Sequence, residues 1–142
     1  RGITGYAPWK ALEGKDQSMV SSILKAMGNT VEVEESQLDA VTGISGSGVA
    51  FVYEFMIALR DGGIRLGLSE AQSTELCLHT VLGAGELLRN SQQSLDQLRD
   101  QVVTPGGTTE AGLNTLAVGD FDTLVKNAVS AAAERSRELS GS

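Results

Sequence analysis

The sequence predicts a mainly α chain, with a short strand–helix–strand unit at its N-terminus followed by about six helices. Three observations carry this. Only two prolines occur in 142 residues, and long segments are rich in Ala and Leu. Apolar/polar alternation is confined to the first 34 residues, whereas later segments repeat at helical spacing. Finally, residues 49–59 are apolar at every position except Glu54, the pattern of a helix buried on most of its sides.

The length allows one domain with a real core. Apolar residues make up 41% and charged residues 20%, ordinary values for a globular chain. A net charge of −7 argues against nucleic acid as a partner, because phosphate binding needs a basic face, and against an anionic membrane surface. No uninterrupted apolar run reaches the roughly 18 residues of a membrane-spanning helix, and no signal-peptide pattern is read at the start. Cys77 is the single cysteine, so an intrachain disulfide is excluded and a reducing cytoplasm is the expected setting. Arg1 is not an initiator Met, and the abrupt opening "RGITGYAP" suggests a fragment or a processed chain.

Taken in order, "GITGYA" (2–7) carries the β-formers Ile3 and Tyr6 and predicts a strand ended by Pro8. From Lys15 to Met27, Met19, Ile23, Leu24 and Met27 share one helical face, with Asp16 as N-cap and Gly28-Asn29 as the stop. "TVEVE" (30–34) alternates and predicts a second strand, completing the tail of an α/β unit. Ser36-x-x-Asp39 is a capping-type start for a short helix through Ala40. "SGSG" (45–48) has the look of a phosphate loop but lacks the Lys and the spacing of a P-loop.

The helix that follows bears one polar line, Ser47, Glu54 and Asp61, at seven-residue intervals. A chain this small does not wrap such a helix alone, and a second copy covering it is the economical solution. Glu54 is expected to pair with Arg60, Arg65 or a partner chain, with a functional acid as the competing role. "SEAQ" (69–72) is a capping box opening a helix with Leu76, Cys77, Val81, Ala84, Leu87 and Leu88 on one side. Gly83 and Gly85 each cost about 1 kcal/mol in helix propensity and make sense where another backbone approaches closely. His79, spaced from Glu75 and Glu86, reads as a surface or interface residue, and Cys77 as a small buried apolar one. "SLDQ" (94–97) is a second capping box, for a helix to about Val103. Asp120 is placed as the N-cap of the last helix, whose face is Phe121, Leu124, Val125, Ala128, Val129 and Ala132. "ERSRELSGS" reads as a polar, frayed end.

Between the last two capping signals sits T-P-G-G-T-T, residues 104–109. Gly106 and Gly107 can take positive φ and let a ligand reach the backbone. A helix starting near Thr108 adds free N–H groups and the positive end of its dipole, a good anion cradle. Thr108 and Thr109 add hydroxyls. The competing explanation is a plain turn with a Thr N-cap, and glycine turns before helices are common. No catalytic His, cysteine cluster or metal set accompanies the loop.

Five stretches, "DAVTGISGSGVAF" (39–51), "DGGIRLGL" (61–68), "TVLGAGELL" (80–88), "QLRDQVVTPGGTTEAGL" (97–113) and "ERSREL" (134–139), together resemble the pyrroline-5-carboxylate reductase family in order and spacing. The resemblance covers about residues 36–140, the C-terminal helical domain of that family, and Val49 stands where the family usually has Pro. It implies reduction of L-1-pyrroline-5-carboxylate to L-proline with hydride from NADPH or NADH, in proline biosynthesis. It implies residues 1–35 as the remnant of an N-terminal Rossmann-type nucleotide domain and residues 36–142 as a helical dimerisation and substrate-binding domain. It also implies a homodimer of interlocked helices that can assemble further, no metal, and no cofactor binding by this chain alone. Carried over residue by residue, it puts the substrate carboxylate on the backbone of Gly107, Thr108 and Thr109 with Thr104 nearby, and counts Gly106 among the substrate-binding residues. Thr109 is the catalytic hydroxyl facing the imine nitrogen, and Ser45 and Ser47 lie near the cofactor. Two other functions stay open on the residues themselves: a non-catalytic helical dimerisation module, and a related reductase acting on another cyclic imine or a β-hydroxyacid.

Overall fold

A computed structural model describes residues 2–8 and 14–141. Arg1 and Ser142, the ends of the two terminal stretches discussed above, lie outside the described residues. Among the described residues the elements are β1 (Ile3–Tyr6), α1 (Lys15–Met27), β2 (Asn29–Glu32), α2 (Leu38–Val41), α3 (Gly48–Arg65), α4 (Glu70–Asn90), α5 (Leu95–Gln101), α6 (Thr108–Val118) and α7 (Phe121–Ser140). The mainly α architecture behind a small strand–helix–strand unit is therefore as the sequence predicts. The chain divides into two compact units, Arg1–Val49 with Val125–Ser142, and Ala50–Leu124.

In the first unit β1 and β2 pair in parallel, Ile3 opposite Asn29 through Tyr6 opposite Glu32. Parallel neighbours need a crossover, and α1 supplies it. The Tyr6 hydroxyl donates to Glu32 Oε2 at 3.0 Å, and that carboxylate holds the phenol above its ordinary pKa. Gly14, not Asp16, is the residue before α1, because the chain enters at φ 57°, where glycine is unstrained. Asp16 instead sits in the first turn, where its charge meets the helix dipole. Gly28 ends α1 as expected. A Cβ there would stand 2.6 Å from the Gly2 carbonyl oxygen, which the Asn29 amide uses.

β2 stops at Glu32 rather than residue 34. Val33 N–H still donates to Tyr6 at 3.0 Å, but Glu34 already caps the next turn, its N–H donating to Gln37 Oε1 at 2.9 Å. The cap is thus Glu34 with Gln37, not Ser36 with Asp39. A 3₁₀ turn (Glu35–Gln37), α2 and a π-type stretch (Thr42–Gly46) lead into α3. "SGSG" is consequently not a loop. Ser47 N–H donates to Thr42 O at 2.8 Å and the Ser45 hydroxyl to Val41 O at 2.9 Å, both inside a helical path. Buried Gly43 permits that path, since its bare Cα faces the Val129 carbonyl of α7.

Because these segments join, Glu35–Arg65 forms one helical run containing an 18-residue stretch with a mean hydropathy of 1.4, long and apolar enough by length and composition to cross a membrane. Counting uninterrupted apolar residues misses it. The end of α7 is also ordered further than its polar composition suggests: the helix reaches Ser140, with Arg135 Nη1 2.6 Å from Glu138 Oε2 and Arg137 Nε 3.8 Å from Asp39 Oδ2. Gly141, at φ 72°, closes it in the left-handed conformation.

In the second unit α4 crosses α3 where side chains are small. A Cβ on Gly63 would stand 2.7 Å from Ser73 Oγ, and the Cys77 thiol donates to Met56 O at 3.4 Å. Cys77 and Ser73 are the buried residues of α4. Phe55 and Phe121 stack at 6.2 Å between centroids. Both Ser-led capping boxes form: Gln72 N–H donates to Ser69 Oγ and Gln97 N–H to Ser94 Oγ, each at 3.2 Å. Asp120 is not a conventional N-cap, since it sits at φ 54° and joins α6 to α7 as a left-handed turn residue, which Asp tolerates.

The apolar faces find little cover within one chain. Val52 is 46% and Tyr53 61% exposed on α3, and Leu76 is 58% exposed on α4. On the α4 side that carries them, Cys77 is buried while Leu76, Leu87 and Leu88 stay exposed, and Gly83 and Gly85 face open space within the chain.

Candidate functional site

The loop at residues 104–109 is built by its sequence step by step. α5 ends at Gln101, and Val102 and Val103 donate back to Arg99 and Asp100. Pro105 and Gly106 then occupy the middle of a turn closed by Gly107 N–H donating to Thr104 O at 2.9 Å. Gly106 takes φ 72°, so Pro followed by a positive-φ Gly is the type II signature. Gly107 is the N-cap of α6, with extended backbone and no capping side chain. Its lack of Cβ is required, since a Cβ would collide with the Thr104 hydroxyl and stand 2.9 Å from the Thr104 carbonyl. The turn of the competing explanation is present, but its threonine N-cap is not, since Gly107 holds that position.

One of the three amides assigned to the carboxylate is engaged within the loop, and so is that of the neighbouring Gly106. Gly107 gives its N–H to Thr104, and Gly106 gives its own to Glu110 Oε2 at 2.8 Å. Thr108 and Thr109 open the eleven-residue helix α6, and no side chain caps their end. Thr109 is half-buried, while Thr104 and Thr108 are exposed. Sequence reasoning overlooked Glu110. The available signal was an acid three residues after the N-cap, the position from which a side chain reaches back to amides ahead of its helix.

The other candidate residues lie apart from this loop in sequence and role. Ser45 and Ser47 belong to the first unit and the loop to the second. His79 Nε2 is 3.0 Å from Glu75 Oε1 on the exposed surface of α4. Glu86 is taken by Arg89 and Asn90 at 2.6 and 2.8 Å, so it is not a partner of His79. Arg60 pairs with Asp61 at 2.8 Å rather than with Glu54. Among the described residues Glu54 makes no ion pair, and no group of His, Cys, Asp and Glu could hold a metal. Two open clefts, of about 640 and 560 Å³, lie beside β1 and β2 and share Ala7, Pro8 and Glu32 in their walls. Neither touches the loop.

These features define a class: a helical domain that follows a β–α–β unit, with apolar faces exposed in the single chain and a glycine turn feeding a helix mouth. Residues 35–139 match the family described as "Pyrroline-5-carboxylate reductase dimerisation", and the chain belongs to that family. It is 44% identical over 138 residues to a pyrroline-5-carboxylate reductase of Synechocystis, covering 97% of this chain and 52% of the relative. It is 40% identical to human pyrroline-5-carboxylate reductase 2, covering 97% of this chain and 43% of that protein. Among solved structures, a pyrroline-5-carboxylate reductase from Coxiella burnetii superposes with a TM-score of 0.91 at 34% identity, over 96% of this chain and 51% of the other. The Plasmodium falciparum pyrroline carboxylate reductase, solved with NADP bound, gives 0.86 at 38% identity, over 96% and 52%. The chain thus spans about half the length of the relatives it matches.

Proposed function

We propose that this chain is the C-terminal, dimer-forming and substrate-binding part of an NAD(P)H-dependent oxidoreductase that reduces L-1-pyrroline-5-carboxylate to L-proline. Residues 1–35 then end a Rossmann-type domain and residues 36–142 form the helical domain. The family match beginning at residue 35 supports that boundary. The observation that carries the proposal is the turn at 104–107, which delivers the uncapped Thr108 and Thr109 amides at the mouth of α6.

The substrate offers one carboxylate and one ring nitrogen. Its carboxylate sits on the Thr108 and Thr109 amides, where the helix dipole favours negative charge. Gly106 and Gly107 act through shape, bringing the backbone close, and Thr104 stands at the rim. The Thr109 hydroxyl orients the ring nitrogen and passes it a proton, directly or through a water, as the ring carbon gains hydride. Hydride is supplied by NADPH or NADH. This chain's residues do not fit a whole dinucleotide: its described sheet has two strands, and no G-x-G-x-x-G is present. Ser45, whose hydroxyl is given to Val41, and Ser47 contribute at most an edge of the cofactor site.

A second copy of the chain covers the exposed α3 and α4 faces, a homodimer that can assemble further. A reducing cytoplasm is the proposed setting, on the single buried thiol. The test is an amide titration of the chain with L-proline, the reaction product. Signals of Thr108 and Thr109 are expected to move in a saturable way, and a titration that leaves them still would overturn the site.

A further inference from the structure

We propose that Glu110 is a specificity-determining residue of this loop, a built-in carboxylate that selects ligand carboxylates accompanied by a cationic nitrogen and rejects bare anions. The inference rests on residues 104–109 being the carboxylate site proposed above.

Two observations carry it. The first is the contact itself: Glu110 Oε2 accepts the Gly106 amide at 2.8 Å, from the third residue of the helix whose mouth holds the ligand. An entering anion therefore meets a like charge on the same first turn of α6 that carries the Thr108 and Thr109 amides. The second is the charge around the loop. On the preceding helix, Arg99 is already shared between Asp96 at 3.2 Å and Asp100 at 2.8 Å. Counting residues 94–113, Asp96, Asp100 and Glu110 against Arg99 leave a net charge of −2. The segment that carries the cradle thus combines candidate anion-binding amides with a net negative charge.

Such a site binds poorly to phosphate or a simple carboxylate, because each adds uncompensated negative charge. A cyclic imino or amino acid carries a positive nitrogen next to its carboxylate. In the product amino acid that cationic nitrogen stays beside the Thr109 hydroxyl and lies within the field of Glu110, one residue on, while the carboxylate takes the helix mouth. The helix termini supply affinity for the acid, and Glu110 supplies the discrimination.

The test compares two ligands of the same ring size, L-proline and cyclopentanecarboxylate, by loop-amide titration of the chain at low salt. The wild type is expected to prefer L-proline. In Glu110→Gln that preference is expected to fall by about threefold or more, the scale of one exposed charge pair, chiefly because cyclopentanecarboxylate binds better. Glu110→Asp, which keeps the charge, is expected to retain more of the preference than Glu110→Gln. The wild-type preference is also expected to shrink as salt is raised to about 0.5 M, where exposed charges are screened. That measurement stands even if a variant folds poorly. An unchanged preference in Glu110→Gln, or one insensitive to salt, overturns the role of Glu110 while leaving the carboxylate site intact. If neither ligand moves the loop amides in any of the proteins, the carboxylate site itself fails, and the role of Glu110 with it.

Discussion

The carbonyl oxygen of Val129 lies 2.8 Å from where a Cβ on Gly43 would stand. α7 therefore rests on the π-type stretch at a point only glycine allows, with the Ala133 methyl 3.4 Å from the same position. Gly43→Ala is expected to destabilise the chain by about 1–3 kcal/mol, because backbone has to move to admit one methyl group. Urea unfolding measures this, and a midpoint equal to wild type would show the contact to be compliant.

Ser69 holds the start of the 21-residue helix α4 through a reciprocal cap with Gln72. Ser69→Ala is expected to lower stability by about 1 kcal/mol, with Ser69→Gly costing less. The comparison of the two variants by thermal unfolding checks the cap separately from any loss of side-chain packing.

The hydrogen bonds from Arg89 and Asn90 hold the Glu86 carboxyl below its ordinary pKa. The folded chain thus binds this proton less readily than the unfolded chain. The resulting stability is present above the unfolded carboxyl value and is lost as pH falls through the depressed folded value. A carbon-detected titration of Glu86 should place its midpoint below that of an unperturbed glutamate, and Arg89→Ala should move it upward. No upward movement would separate the shift from Arg89.

Val52 and Tyr53 on α3 are broadly exposed in one chain, and Gly83 has nothing near its missing Cβ. A homodimer is expected at micromolar concentration by light scattering. Val52→Asp is expected to dissociate it, since an unpaired charge would be buried at the interface. Gly83→Ala is expected to weaken the dimer, although Ala is the better helix former by about 1 kcal/mol. A monomeric wild type would remove the second copy from the account.

Calorimetry of the chain with NADPH is expected to give no micromolar association. Saturable binding would locate more of the cofactor site on these residues than the edge assigned to Ser45 and Ser47.

Much of this protein was legible in its residues, wherever the physics is local. The apolar spacing from Met19 to Met27 placed α1 at Lys15–Met27, and Ser69 and Ser94, each followed by Gln three residues later, placed two helix starts. Pro105 and the two glycines placed the turn. What the sequence misplaced were features set by distant neighbours. "SGSG" looks like a loop until α7 packs on Gly43, and the polar tail stays helical to Ser140 with Arg137 near Asp39. Glu110 escaped notice because its role needs the positive φ of Gly106 to turn an amide toward it. Propensity, capping and periodicity act over three or four residues, so the chain alone determined its helices and its turn. Only the tertiary structure decided which amides of that turn are spent internally and which apolar faces remain uncovered, because both depend on residues far apart in sequence meeting in space.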